Sequence, residues 1–181
     1  MITLHIDKTT LWDEEKEEFI TVNAQDIVLE HSLLSLSKWE SKWEIPLLSK
    51  NPKSKEQFLD YIRCMTVTQH VNPYVYYCLT DEHIKIVDEY IDKKMSAATF
   101  SGDTRKGQGG KQVTADLIYY WLVALQIPFD PVEKWHLNRL MALIKICNIE
   151  NQPSKKMSRG ATMRQNAALN AARRKRHGSR G

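Results

Sequence analysis

The sequence predicts an α+β fold: a mostly helical single domain with a small N-terminal antiparallel β meander and a basic C-terminal arm. Three patterns carry this expectation. Apolar and polar residues alternate only near the N-terminus, apolar residues recur at three- and four-residue spacing through most of residues 32–153, and residues 154–181 hold nine cations and no acid. At 181 residues the chain has room for one ordinary core with appendages. The expected body is residues 1–153, divided into the meander (1–30), helices (32–95), a mobile loop (96–112) and a helical hairpin (113–153), with the arm at 154–181.

The meander rests on three short runs. Ile2, Leu4 and Ile6 alternate with Thr3 and His5, and residues 19–22 and 27–29 are apolar and β-favouring. Residues 13–18 between them are almost all acidic, which fits a solvated turn or a short polar helix start. The period then changes. Leu33, Leu36, Trp39 and Trp43 mark a short amphipathic helix in which the two indoles are one turn apart, and Pro46 ends it. Ser54 with Gln57 forms a capping-box pattern ahead of Phe58, Tyr61, Ile62 and Met65. Residues 67–71 read as a loop, Asn72-Pro73 starts a short helix, and Thr80 caps another with Ile84, Val87 and Ile91 inward.

Residues 96–112 contain four of the seven glycines and almost no apolar side chain, so they are expected to be a mobile surface loop. Residues 113–153 form the most apolar stretch, and the other segments are expected to be built onto it. Thr114 is a natural N-cap with Asp116 in the first turn, and Leu117, Ile118, Trp121, Leu122 and Leu125 follow at helical spacing until Pro128. Asp130-Pro131-Val132-Glu133 then predicts a second helix start, with Asp130 as N-cap and Pro131 at N1. Val132, Trp135, Leu140, Leu143, Ile144 and Cys147 mark its inward face. In the arm, residues 163–176 have high helix propensity but no apolar stripe to bury, so a helix is expected there only when something binds.

No catalytic, cofactor-binding or metal-binding constellation emerges. Residues 102–111 offer glycines and a lysine, but Gly107 is followed by Gln108 rather than the Lys-Ser or Lys-Thr of a phosphate loop. His136 has no local carboxylate or nucleophile as partner, and no two histidines stand three or four residues apart. Glu14, Glu15, Glu17 and Glu18 read as a solvated face. Cys64, Cys78 and Cys147 are an odd, widely spaced set, expected to be reduced core residues. The N-terminus lacks a basic n-region and an apolar h-region, and no run of eighteen apolar residues occurs. A soluble protein made in a cytoplasm is expected, with no membrane partner.

Charge and aromatic placement point to binding instead. Lys155, Lys156, Arg159, Arg164, Arg173, Arg174, Lys175, Arg176 and Arg180 make the arm a candidate polyanion-binding segment, leaving 17 cations against 22 carboxylates over residues 1–153. Its partner is a nucleic acid held through phosphates, an acidic protein surface that includes a neighbouring copy of this chain, or neither, the arm then serving solubility. The arm has no aromatic residue, which argues against base stacking. Trp39 and Trp43, with Trp135 of the hairpin, are candidate protein-binding residues. The two neighbouring indoles either anchor their helix to the hairpin core or face a partner across a rim of Lys and Glu.

The segments EHSLLSLSKWESKWEIPLLS, DYIRCMT, EKWHLNRLMALIKICN and MRQNAALNAARRKR, in this order and spacing, resemble a group of small structural and assembly proteins of tailed bacteriophages, often labelled tail assembly chaperones. The resemblance covers most of the chain. It implies a non-enzymatic assembly factor in the host cytoplasm that binds other phage structural proteins, such as a tape-measure protein or another tail component. The alternative is a virion component of head, neck or baseplate whose basic arm contacts DNA or a neighbouring subunit.

Overall fold

The computed structural model describes residues 1–14, 16–98, 112–151 and 159–178. The chain divides into two compact units, Met1–Cys147 and Asn148–Gly181. The fold is α+β and mostly helical, with antiparallel strands confined to the N-terminus.

Four strands form where three runs were anticipated: β1 (Ile2–Ile6), β2 (Thr9–Asp13), β3 (Glu18–Val22) and β4 (Gln25–Leu29). β1 pairs with β4 and β2 with β3. Both ladders keep one register, from Ile2 opposite Leu29 through Ile6 opposite Gln25 to Thr9 opposite Val22 and Asp13 opposite Glu18. The strands are therefore a single long hairpin, interrupted at residues 7–8 and 23–24, whose tip is the acidic turn. Within each ladder alternation sets the faces: Leu4, Ile6, Ile27 and Leu29 are buried in β1–β4 and Val22 in β2–β3, while Trp12 and Phe19, on the other side of β2–β3, stand exposed near the tip.

After the hairpin come α1 (Leu33–Trp43), α2 (Lys55–Met65), a 3₁₀ helix (Pro73–Cys78), α3 (Asp81–Ile91), α4 (Ala115–Ala124), the single turn α5 (Phe129–Val132) and α6 (Leu137–Glu150). Local capping explains most starts. Ser32 with Ser35, Ser54 with Gln57 and Thr80 with His83 form reciprocal capping boxes, and the Thr114 hydroxyl accepts the Leu117 N–H. α1 ends on Glu44, whose left-handed φ of 54° turns the chain away while its N–H bonds the Glu40 carbonyl at 2.8 Å.

Two apolar clusters fill the first unit, and α1 belongs to both. Trp39 packs with the strands, α2, the 3₁₀ helix and α3, whereas Leu33 and Leu36 pack with α4 and α6. The organising element is thus α1 and not the apolar hairpin of residues 113–153, because a helix placed between two cores can bury opposite ends of its length. Glu40 ties it down further, accepting the Leu47 N–H at 2.9 Å and the Ala115 N–H at 2.7 Å. The second contact satisfies one of the free donors at the start of α4.

The second hairpin helix begins at Leu137, not at Pro131. Residues 129–132 make one short turn, residues 133–135 continue in turns, and His136 then bridges Ser32 while the Leu137 N–H bonds the His31 carbonyl at 2.7 Å. Glu133 serves in place of a capping box as acceptor for the Tyr119 hydroxyl. In the second unit α7 (Arg159–His177) is a helix. Its alanines carry high helix propensity, the cations of its last turn complement the dipole, and Gly178 at φ 58° supplies the left-handed residue that stops it.

Candidate protein-binding cleft

Trp43 is the last residue of α1, where the helix crosses α2. Its indole N–H donates to Asp60 Oδ2 at 2.8 Å, and Lys42 Nζ donates to Oδ1 of the same carboxylate at 2.6 Å. Arg63, one turn on along α2, approaches Oδ1 at 3.5 Å. Asp60 is only 6% exposed, so these partners are what make a buried carboxylate tolerable. Burial by itself would raise its pKa, but the hydrogen bonds from Lys42 and Trp43 and the charges of Lys42 and Arg63 hold it below the ordinary value.

Around this carboxylate lies a cleft of about 300 Å³. Trp43, Tyr76 and Tyr77 give it aromatic surface, Leu59 an apolar patch, and Lys42, Lys55 and Arg63, with the acidic Glu56 among them, a charged border. Arg63 stacks on the Tyr76 ring at 4.9 Å, and Lys42 Nζ lies 5.6 Å from the centre of the Trp43 ring. Tyr77 is 63% exposed. An aromatic, weakly cationic notch of this size suits one or two side chains of another protein, and aromatic and Arg side chains are those that dominate protein interfaces.

Of the residues singled out from sequence, only Trp43 lines the cleft. Trp39 must be reassigned: it is fully buried, its ring faces Tyr61, and its N–H donates to the Gln57 carbonyl at 2.8 Å, so it is a core residue and not a docking surface. The reading that both indoles anchor α1 to the hairpin also gives way, since Trp39 packs in the strand-side cluster. Trp135 lies in the other cluster, half-buried, with the Arg139 guanidinium 4.3 Å from its ring centre. The apolar hairpin does retain exposed side chains, at Tyr120, Val123 and Phe129. On α7, Arg164, Arg173, Arg174, Lys175 and Arg176 are exposed and Arg159 opens the helix. Lys155, Lys156 and Arg180 lie outside the described residues, as do residues 99–111 of the expected mobile loop, with the phosphate-loop candidate. Tyr76, Tyr77 and Arg63 went unnoticed in the sequence, where the only signal is the tyrosine-rich run after Asn72-Pro73.

Two of the histidines, His31 and His136, meet in the core. His31 Nδ1 and the Tyr61 hydroxyl are 2.6 Å apart, and the His31 ring meets that of His136 edge to face at 5.1 Å. His136 Nε2 donates to the Tyr90 carbonyl at 3.0 Å, so its Nδ1 accepts the Asn138 N–H at 3.2 Å and the ring is neutral. Burial, and secondarily the neighbouring His136, lowers the His31 pKa to about 4; burial likewise lowers that of His136. Asn138 closes the junction by donating to the Ile91 and Lys93 carbonyls at the end of α3. With both nitrogens of His136 engaged, the cluster joins elements rather than presenting a base.

Among the described residues no group of three His, Cys, Asp or Glu side chains is placed to hold a metal, and no helix is long and apolar enough to cross a membrane. No protein-family model, curated protein or solved structure matches the chain.

Proposed function

We propose that this chain is a non-enzymatic assembly factor of a tailed bacteriophage, of the tail assembly chaperone kind, which binds another phage structural protein through the Trp43 cleft and the exposed apolar side of the α4–α6 hairpin. The observation that carries the binding role is the cleft itself: three aromatic rings and three cations line it beside Glu56 and the buried Asp60, which accepts hydrogen bonds from Lys42 and Trp43. The phage assignment rests on the four sequence segments that resemble that group. A tape-measure protein or another tail component is the partner this reading implies.

A second reading draws on α7. A helix with exposed Arg164, Arg173, Arg174, Lys175 and Arg176 also suits a virion component that stays beside packaged DNA or a neighbouring subunit. Mass spectrometry of purified mature particles separates the two. Absence of the protein from particles, with abundance in infected cells, supports the chaperone; stoichiometric presence overturns it in favour of the virion component. In the first case Trp43→Ala and Tyr77→Ala are expected to abolish co-purification of the partner while leaving the circular dichroism spectrum intact.

A further inference from the structure

We infer that the tip of the β hairpin is a receptor for the basic helix α7 of a second copy of this chain. Trp12 and Phe19 face each other across the β2–β3 ladder with ring centres 4.9 Å apart, edge to face. They are 51% and 73% exposed, and Phe19 is the most exposed large apolar side chain among the described residues. A cross-strand aromatic pair stabilises its own hairpin, and at these exposures it also leaves apolar surface in solvent.

Charge identifies the occupant. Glu14 and Glu17, in the turn that follows the pair, are exposed. The one cation of the turn, Lys16, is drawn to the other side, its Nζ bonded to the Tyr74 hydroxyl at 2.8 Å and 3.6 Å from Asp13. Tyr74 in turn donates to Asp13 at 3.0 Å, so the tip is pinned to the 3₁₀ helix and its acidic, aromatic side is presented as a fixed surface. The complement is found in the same chain. Helical spacing puts Leu169, Ala172, Arg173 and Arg176 on one face of α7, and Leu169 is 51% exposed. A leucine beside a small residue fits onto the indole and phenyl rings, while the two arginines one and two turns on reach the glutamates. Phosphate binding makes no use of Leu169, which favours the protein surface over DNA as occupant. Because tip and helix are different surfaces, the contact is heterologous: it propagates head to tail and closes only as a ring.

Sedimentation velocity of the full-length protein over a concentration series, at low and high salt, tests this. Wild type is expected to self-associate reversibly and to dissociate as salt rises. Phe19→Ser is expected to weaken association by about 30-fold or more, the effect of a central aromatic anchor. Arg173→Glu/Arg176→Glu and Glu14→Lys/Glu17→Lys are each expected to be monomeric alone and to associate when mixed, since each supplies the charge the other has lost. These four positions are exposed, so the mixing result stands even if Phe19→Ser misfolds. A wild type that stays monomeric at every concentration, whether its arm binds only DNA or only its own body, overturns the inference. Failure of the two charge-reversed forms to associate on mixing overturns it equally.

Discussion

Asp60 accepts two hydrogen bonds from consecutive residues, the Lys42 ammonium at 2.6 Å and the Trp43 indole N–H at 2.8 Å. One buried carboxylate thereby fixes both the end of α1 against α2 and the wall of the cleft. Asp60→Ala is expected to destabilise the protein by about 3 kcal/mol, because it leaves an indole N–H and a cation without their acceptor. Urea unfolding measures this, and an Asp60→Ala protein as stable as wild type would remove the carboxylate from the account of the cleft.

The same carboxylate has a pH signature. Its folded pKa lies below the ordinary 3.8, so the stability it contributes is complete above about pH 5 and is lost as pH falls through 3.8 toward the folded value. The unfolding midpoint of Asp60→Asn is expected to fall less steeply with acid below pH 4 than that of wild type.

His31 acts in a higher window. The unfolded chain takes up a proton near 6.5, whereas burial holds the folded group neutral down to about 4, so the unfolded state binds more protons between these values. Stability is therefore expected to fall from pH 6.5 toward pH 4, by an amount on the order of 3 kcal/mol, and then to level off for this group. His136, also lowered by burial, adds in the same direction. His31→Gln is expected to flatten the profile in this range; an unchanged slope would show that His31 is protonated in the folded state.

Trp39 and Trp43 should separate cleanly. Trp39→Ala empties a fully buried site and is expected to cost about 3–5 kcal/mol, enough to unfold many domains of this size. Trp43→Phe keeps most of the ring but loses the bond to Asp60, and is expected to lower stability by about 1 kcal/mol while reducing partner binding. Thermal unfolding and co-purification of the partner read the two effects independently.

Glu40→Ala is expected to lower stability by about 1–2 kcal/mol and to speed amide exchange at Ala115, since the carboxylate is the acceptor for that first free N–H of α4. Hydrogen exchange that is unaltered at Ala115 would show that Thr114 alone suffices as the cap.

Legibility followed range. The caps at Ser54, Thr80 and Thr114 lie within three residues of what they cap, so they were readable from spacing alone, as was the burial of Leu33, Leu36 and Trp39 on one face of a helix. β2 was missed because Thr9–Asp13 is half polar and alternates weakly; it becomes a strand only because β1 and β4 bring it into register with β3. Helical spacing gave Trp39 and Trp43 the same side of α1 but not their different fates, which depend on where α2 lies. Of the cleft, Trp43 alone was legible, since Asp60, Tyr76 and Tyr77 reach it from later parts of the chain.

The sequence by itself determined the class of the fold, the hydroxyl caps at Ser54, Thr80 and Thr114 and the separation of an acidic body from a basic arm, because periodicity, hydroxyl caps and charge act between near neighbours. Tertiary structure decided the rest: that α1 serves two cores, that Lys16 turns toward Tyr74 and leaves the glutamates exposed, that Trp12 and Phe19 remain in solvent, and that Asp60 organises a cleft. Each of these is a contact between distant residues, whose energy depends on positions that only the packed chain supplies.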